Sequence, residues 1–297
     1  MLRITIFILI GFCSLVANSK EIANLPLAIE KASNGESSYQ TDLINYYFNT
    51  SKNYAEAIKW CNILTENQGA REYQKEYANR ILGYCYYQGR GIKRSIEDAI
   101  RYWKNGVELK GGSCALELAG IYENEKKDSV EAIKWYQKAA ELENKTAAYF
   151  LARLYEEGYA KTSDGKKIYY PNVGKDLSLA AKYYEIYVEN MGWSRVGGVP
   201  ANSNILYKLA RLYYTGEGNL NKDYTKAFKA FNLALEKNED SKAEYKLTQL
   251  EEGDALWCIS VCYRFGRGVE QDELTARRYV KRAAEKGNEN AIALLGE

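Results

Sequence analysis

The sequence predicts an all-α chain, an α/α superhelical solenoid of about six helix-turn-helix repeats. Three observations carry that expectation. A ten-residue frame recurs, with Leu209 to Gly218 in register with Leu82 to Gly91 and with Ile259 to Gly268. Downstream of each copy comes a second helical pattern, a small Ala followed three or four residues later by an aromatic. The distance between the two barely changes: 13 residues from Tyr86 to Ala99, 14 from Tyr213 to Ala227 and 13 from Tyr263 to Ala276. Repeated units at such a period stack into an array in which each buries its apolar face against its neighbours.

Composition agrees. Among 297 residues there are only 3 Pro but 27 Tyr, as suits long helices joined by packed rings rather than a turn-rich or disordered chain. Lys plus Arg number 41 and Asp plus Glu 39, which removes the broad positive field that non-specific nucleic-acid binding needs, so no nucleic-acid partner is expected. The complete absence of His excludes imidazole triads and every zinc site that uses His.

The first element reads as a secretory leader, residues 1–19. Arg3 supplies the charged start and an apolar run follows from Ile4 to Val16. That run is shorter than the roughly 20 residues that cross a bilayer, and Ala17 and Ser19 are the small residues a signal peptidase accepts. Cleavage after Ser19 is expected, leaving no integral membrane span and a secreted or periplasmic chain starting at Lys20. Phe12 before Cys13 disfavours lipidation, since that site wants a small residue.

The repeat array occupies the rest, residues 20–297. In each first helix, apolar residues at i, i+3 and i+4, such as Leu151, Leu154 and Tyr155, mark one face, and the Gly that follows supplies the positive φ that ends the helix. Second helices carry Ala99 with Tyr102 and Trp103, Ala132 with Trp135, Ala180 with Tyr183, Ala227 with Phe231, and Ala276 with Tyr279. Small Ala permits close helix approach and the aromatic fills the adjoining groove, so the stripe Trp60, Trp103, Trp135, Tyr183, Phe231 and Tyr279 is expected in the core. Compact copies with a spacing of 10, Tyr47 to Ala57 and Tyr122 to Ala132, complete the six.

The pattern Leu, Gly, two residues, Tyr, two residues, Gly, any, Gly, then Ala, an aromatic and Ala-Ala resembles the Sel1-like repeat. The resemblance covers roughly residues 39 to 297 and implies α/α solenoid geometry. The compact copies at 39–66 and 115–142 lack the Gly pair and are more similar to the related tetratricopeptide repeat. Some Sel1-like proteins carry a regular Cys pair in each repeat. The five cysteines left after leader removal, Cys61, Cys85, Cys114, Cys258 and Cys262, show no such regularity and are expected as small buried hydrophobes. The Gly-Arg-Gly pieces at 89–91 and 266–268 lack the preceding strand and following Lys of a phosphate loop and read as turns. No metal or cofactor is expected.

Two insertions break the period, at 159–175 and 190–204, and a third irregular stretch, Lys237 to Glu252, reads as a solvated helix extension. Insertions in a solenoid tend to emerge on one face, which is often the binding face. The candidate partner-binding residues are therefore Tyr169, Tyr170, Trp193 and Arg195 in the insertions, with Tyr84, Arg153 and Arg211. These last three share one repeat position in the first helices, which line the concave side of such arrays, and Arg and aromatics are enriched at binding hot spots. The function expected is an exported protein–protein interaction scaffold, an adaptor, envelope assembly factor or immunity-type inhibitor. It would bind a protein partner through its concave face and insertion loops. The alternative is an envelope enzyme or glycan-binding protein acting on cell-wall material, against which stands the lack of any nucleophile placed beside a base.

Overall fold

The computed structural model describes residues 22, 24–161, 164–189, 202–239 and 246–296. The leader and most of the second insertion, with Trp193 and Arg195, lie outside the described residues. The described chain contains fourteen helices and one short hairpin. Six helix pairs follow one another: α2 (Ser37–Asn45) with α3 (Tyr54–Glu66), α4 (Glu72–Gln88) with α5 (Ile96–Glu108), α6 (Gly112–Asn124) with α7 (Ser129–Glu141), α8 (Lys145–Glu157) with α9 (Leu177–Glu189), α10 (Ser203–Thr215) with α11 (Tyr224–Glu239), and α12 (Gln249–Phe265) with α13 (Glu273–Glu285). Helix α1 (Leu25–Ser33) packs on α2, and α14 (Glu289–Gly296) packs on α13. Strands β1 (Ala160–Lys161) and β2 (Lys167–Ile168) pair antiparallel within the first insertion.

The chain divides into two compact units. The first holds Met1–Leu151 with Tyr159–Val173, and the second Ala152–Gly158 with Gly174–Glu297. In the first, Leu43, Ile44, Leu64, Ile81, Leu82, Trp103 and Leu118 are fully buried. In the second, Tyr184, Leu206, Leu209, Phe231, Leu256 and Ile259 fill the same role.

Helix closure follows one local rule. A polar residue four positions before the Ala of each second helix caps it: Asn53, Ser95, Asp128, Asp176, Asp223 and Asp272 each accept an N–H three residues on, at 2.9–3.3 Å. Such a cap satisfies a helix donor that has no partner within the helix. In five repeats the backbone N–H of the same residue donates to the carbonyl of the repeat Tyr or its equivalent: Ser95 to Tyr86, Asp128 to Tyr122, Asp176 to Tyr155, Asp223 to Tyr213 and Asp272 to Tyr263, at 2.8–3.0 Å. These bonds close the connection at its base whatever its length. In the fourth repeat Asp176 still reaches Tyr155, so the insertion is looped out of a connection closed at its base.

Of the aromatic stripe, Trp60, Trp103, Tyr183 and Phe231 are buried as expected, while Trp135 and Tyr279 are half-buried. Tyr86 stacks on Tyr102, Tyr122 on Trp135, Tyr155 on Tyr183 and Tyr263 on Tyr279, with centroids 5.3–6.3 Å apart. Each pair adds roughly 1 kcal/mol beyond the area it buries. Gly89, Gly216 and Gly266 end α4, α10 and α12 in the left-handed conformation, with φ of 68°, 68° and 64°. The second glycine of each pair has a different task. A Cβ on Gly268 would lie 2.4 Å from the Tyr224 backbone, and one on Gly91 2.8 Å from the Tyr54–Ala55 peptide, so these glycines let each repeat sit directly on the start of the preceding repeat's second helix. Arg90 and Arg267, between the glycines, lie over the Tyr54 and Tyr224 rings at 5.3 and 5.2 Å.

Two features go beyond the sequence reading and one expectation requires correction. The first repeat's leading helix runs on from α2 through a π-helical turn, Tyr46–Thr50, in place of a plain stop. The compact repeats lack glycine but still enter the left-handed region, at Lys52 (φ 58°) and Lys127 (φ 57°). The stretch Lys237 to Glu252 is not one helix extension: α11 ends at Glu239, and α12 starts at Gln249 under a capping box formed by Thr248 and Glu251. Leu247, just before that cap, is buried, which anchors the new start.

Candidate functional site

In the first unit, α4 and α6 bring together groups that do not complete the core. The Arg80 guanidinium lies 5.4 Å from the Tyr77 ring, and Arg90 covers Tyr84 at 5.2 Å as well as Tyr54. The Glu117 carboxyl is pushed by burial up to about 7, a rise that the Arg80 charge opposes. Tyr84, Tyr136 and the Cys114 thiol all feel the Glu117 charge. Six residues further along α6, Glu123 accepts hydrogen bonds from Tyr136 at 2.7 Å and from Tyr170, and burial raises its carboxyl while the two tyrosyl donors oppose the rise.

Those contacts settle the position of two expected contact residues. Tyr84 is only 8% exposed, held between Phe48 and Arg90, and Tyr170 only 4%, held by Glu123 and the Phe150 ring 6.0 Å away. Both are interior packing residues rather than surface anchors, which corrects their assignment. Tyr169, beside Tyr170, is 68% exposed. Neighbours in an extended segment point to opposite sides, so one ring fastens the insertion to the first unit and the other faces solvent.

In the second unit, the first-helix face carries a run of alternating charge. Arg153 pairs with Glu157 and lies 3.8 Å from Glu156. Glu156 also accepts from Lys208 at 3.0 Å and from Tyr184 at 2.8 Å. Further on, Asp254 accepts from Tyr207 at 2.7 Å and has the Arg211 guanidinium 3.8 Å away. Arg153 and Arg211 each stand beside an acidic partner, with side chains 36% and 53% exposed. Reasoning from the sequence missed Arg80, Glu117 and Glu123. A charged residue at alternate helix turns next to a repeat Leu was the available signal for Glu117, since Leu118 is fully buried beside it.

Among the described residues no group of three or more His, Cys, Asp or Glu is arranged to hold a metal, and no helix is long and apolar enough to cross a membrane. All five described cysteines are buried free thiols, and burial pushes Cys85 up to about 12 and Cys262 up to about 11.

Six capped helix pairs, five of them also closed by a bond to a tyrosine carbonyl, define an α/α repeat protein. The Sel1 repeat model matches residues 47–64, 77–109, 113–144, 145–186, 206–238 and 254–288. The chain belongs to the Sel1 repeat family, and the two compact copies belong to it with the rest. Repeats of this family generally serve protein–protein interaction, and the fold is typically a non-catalytic scaffold. Among solved structures, the chain is similar to a protective antigen of uropathogenic Escherichia coli displaying an SLR fold, at 22% identity and a TM-score of 0.47, over 90% of this chain and 50% of that one. It therefore spans half the length of that relative. It is also similar to a Sel1 repeat protein from Oxalobacter formigenes, at 21% identity and a TM-score of 0.40, over 86% of each chain. An immunity protein from Pseudomonas aeruginosa matches at 14% identity and a TM-score of 0.32, over 89% of this chain and 83% of that one. Comparison with curated proteins finds no match.

Proposed function

We propose that the chain is an exported scaffold that binds a protein partner through its first-helix faces and its insertions. The observation that carries this reading is the looped-out segment at 159–175. Asp176 closes the fourth repeat onto Tyr155 without it, yet within the segment Tyr170 packs on Glu123 and Phe150 of the first unit while Tyr169 stays in solvent. Ordering a loop costs conformational entropy of about 1–2 kcal/mol per residue, and an aromatic left 68% exposed returns little of it within the chain. A partner that buries Tyr169 does return it, and aromatic anchors of this kind dominate interface energies. Export is part of the same proposal and rests on Arg3, the run Ile4 to Val16 and the small residues Ala17 and Ser19.

Two measurements test it together. Terminal sequencing of the protein from its native host should read from Lys20, and cross-linking of the whole chain in the exported fraction should recover one protein in fixed stoichiometry. A chain still starting at Met1 in the membrane would remove export. Recovery of cell-wall glycan and no protein would remove the scaffold.

A further inference from the structure

We infer that the cavity between α13 and α14 captures the C-terminus of the partner protein, a free carboxylate on a residue with an apolar side chain. This rests on the reading of the chain as a scaffold for a protein partner, and names the part of that partner held here.

The cavity measures about 320 Å³ and lies within the second unit. Its apolar side is built by buried Ala276 and Val280 of α13 with Leu294 and Leu295 of α14, and Leu295 is 51% exposed at the mouth. One position on along α13, Arg277 and Lys281 form the adjoining stripe of that helix and are exposed, and Arg264 of α12 joins them. Apolar atoms thus lie inward and cations outward. One acid also lines the cavity, Glu273, and it is already engaged: Arg264 Nε is 3.6 Å from one of its oxygens and Arg277 Nε 3.1 Å from the other. Lys281 makes no ion pair or hydrogen bond among the described residues. Arg264, Arg277 and Lys281 against Glu273 alone, three charges less one, leave a surplus of +2 at the rim.

That arrangement selects the ligand. Its charge has to stay at the rim, since a carboxylate carried onto the apolar side would lose its water without gaining a partner. An Asp or Glu inside a peptide bears its charge at the tip of the side chain, so it cannot satisfy the rim and fill the apolar side at once. A terminal Leu, Ile or Val can, because its carboxylate and its side chain diverge from one Cα. The volume stands at the lower end of the roughly 300–1,000 Å³ usual for ligand sites, which suits one residue rather than a helix. Bonds from Arg and Lys to a carboxylate are of the strong, charge-assisted kind. Glu273 holds both guanidiniums in place before binding, which lowers the ordering cost of engaging the partner.

The test uses the whole chain and a Gly- and Ser-based hexapeptide ending in Leu, labelled with fluorescein at its N-terminus and followed by anisotropy. It is offered as the free acid, as the C-terminal amide, and as a free acid ending in Gly. The Leu acid should bind more tightly than either of the others, with a margin over the amide that falls as salt is raised. Lys281→Glu should weaken binding of the Leu acid about tenfold or more, and the milder Lys281→Gln and Leu295→Asn should each weaken it in the same direction. Lys281 and Leu295 are exposed, so the melting temperature should hold in all three variants and separate recognition from folding. Equal binding of acid and amide, or an equal loss from the remote change Lys104→Gln, would overturn the inference. So would octanoate that binds in dependence on Lys281 while the Leu acid goes unbound. Failure of the scaffold itself looks different. If cross-linking recovers a protein equally with wild type and Lys281→Glu while no peptide binds, the cavity assignment falls and the scaffold stands, whereas recovery of no protein by wild type removes the scaffold.

Discussion

Burial pushes the Glu117 carboxyl from its ordinary 4.5 up to about 7, against the opposing charge of Arg80. The folded chain therefore holds a proton there that the unfolded chain releases. Its contribution to stability is full below about pH 4.5 and is lost as pH rises through about 7, with each unit worth about 1.4 kcal/mol. Glu117→Gln should thus become progressively more stable relative to wild type between pH 5 and 8, by on the order of 2 kcal/mol, as denaturant midpoints at several pH values would read. Parallel profiles would place the carboxyl in water. A second residue-scale expectation concerns Lys127, held at φ 57° in the turn after α6. A left-handed conformation costs an L-residue roughly 1 kcal/mol, so Lys127→Gly should be neutral or stabilising by up to about that amount, in contrast to most surface-to-Gly changes. At this scale the sequence was least legible. Tyr169 and Tyr170 are chemically identical neighbours, and only the positions of Glu123 and Phe150, distant in sequence, decide which is buried. Tyr84 likewise shares a repeat position with the half-buried Arg153 and the exposed Arg211, and its burial comes from Phe48 and Arg90, in neighbouring segments.

The helix pairs were far more legible, because their residues are dictated by contacts that every repeat must make. The Ala and aromatic positions follow from close helix approach, and the first glycine of each pair from the left-handed stop. What repetition concealed was the division of labour between the two glycines. The second is reserved for backbone approach, and Gly268→Ala would force a Cβ to within 2.4 Å of Tyr224 in addition to straining φ at 73°. That change should cost about 2 kcal/mol or more in thermal or denaturant unfolding, whereas Gly266→Ala, whose Cβ would meet nothing nearer than 3.6 Å, should cost only about 1 kcal/mol for its backbone conformation. Equal losses would mean that the two glycines serve the same purpose. The capping residue four before each Ala was also present in the sequence. It varies among Asn, Ser and Asp, so a search for identical residues passes over it although the physics is the same in all six repeats.

On the scale of the whole molecule, six helix pairs were legible and the surface proposed for a partner was not. Stacking requires the same side chains at the same places in each repeat, which makes the architecture periodic and readable. Recognition uses whatever departs from the period, and a departure carries no internal copy to compare it with. Nearly balanced charge overall conceals the local excess of cations beside Lys281 for the same reason.

The bond from a capping residue's N–H to the tyrosine carbonyl has an evolutionary corollary. It makes the interval between the two helices a closed port, whose length is invisible to the stacked helices on either side. In the fourth repeat that interval is 25 residues from Tyr155 to Ala180 and the bond is still 2.8 Å long. The ports after Tyr86, Tyr122, Tyr213 and Tyr263 are closed in the same way, so the lineage can acquire new specificities by grafting loops into any of them while leaving the hydrophobic framework unaltered.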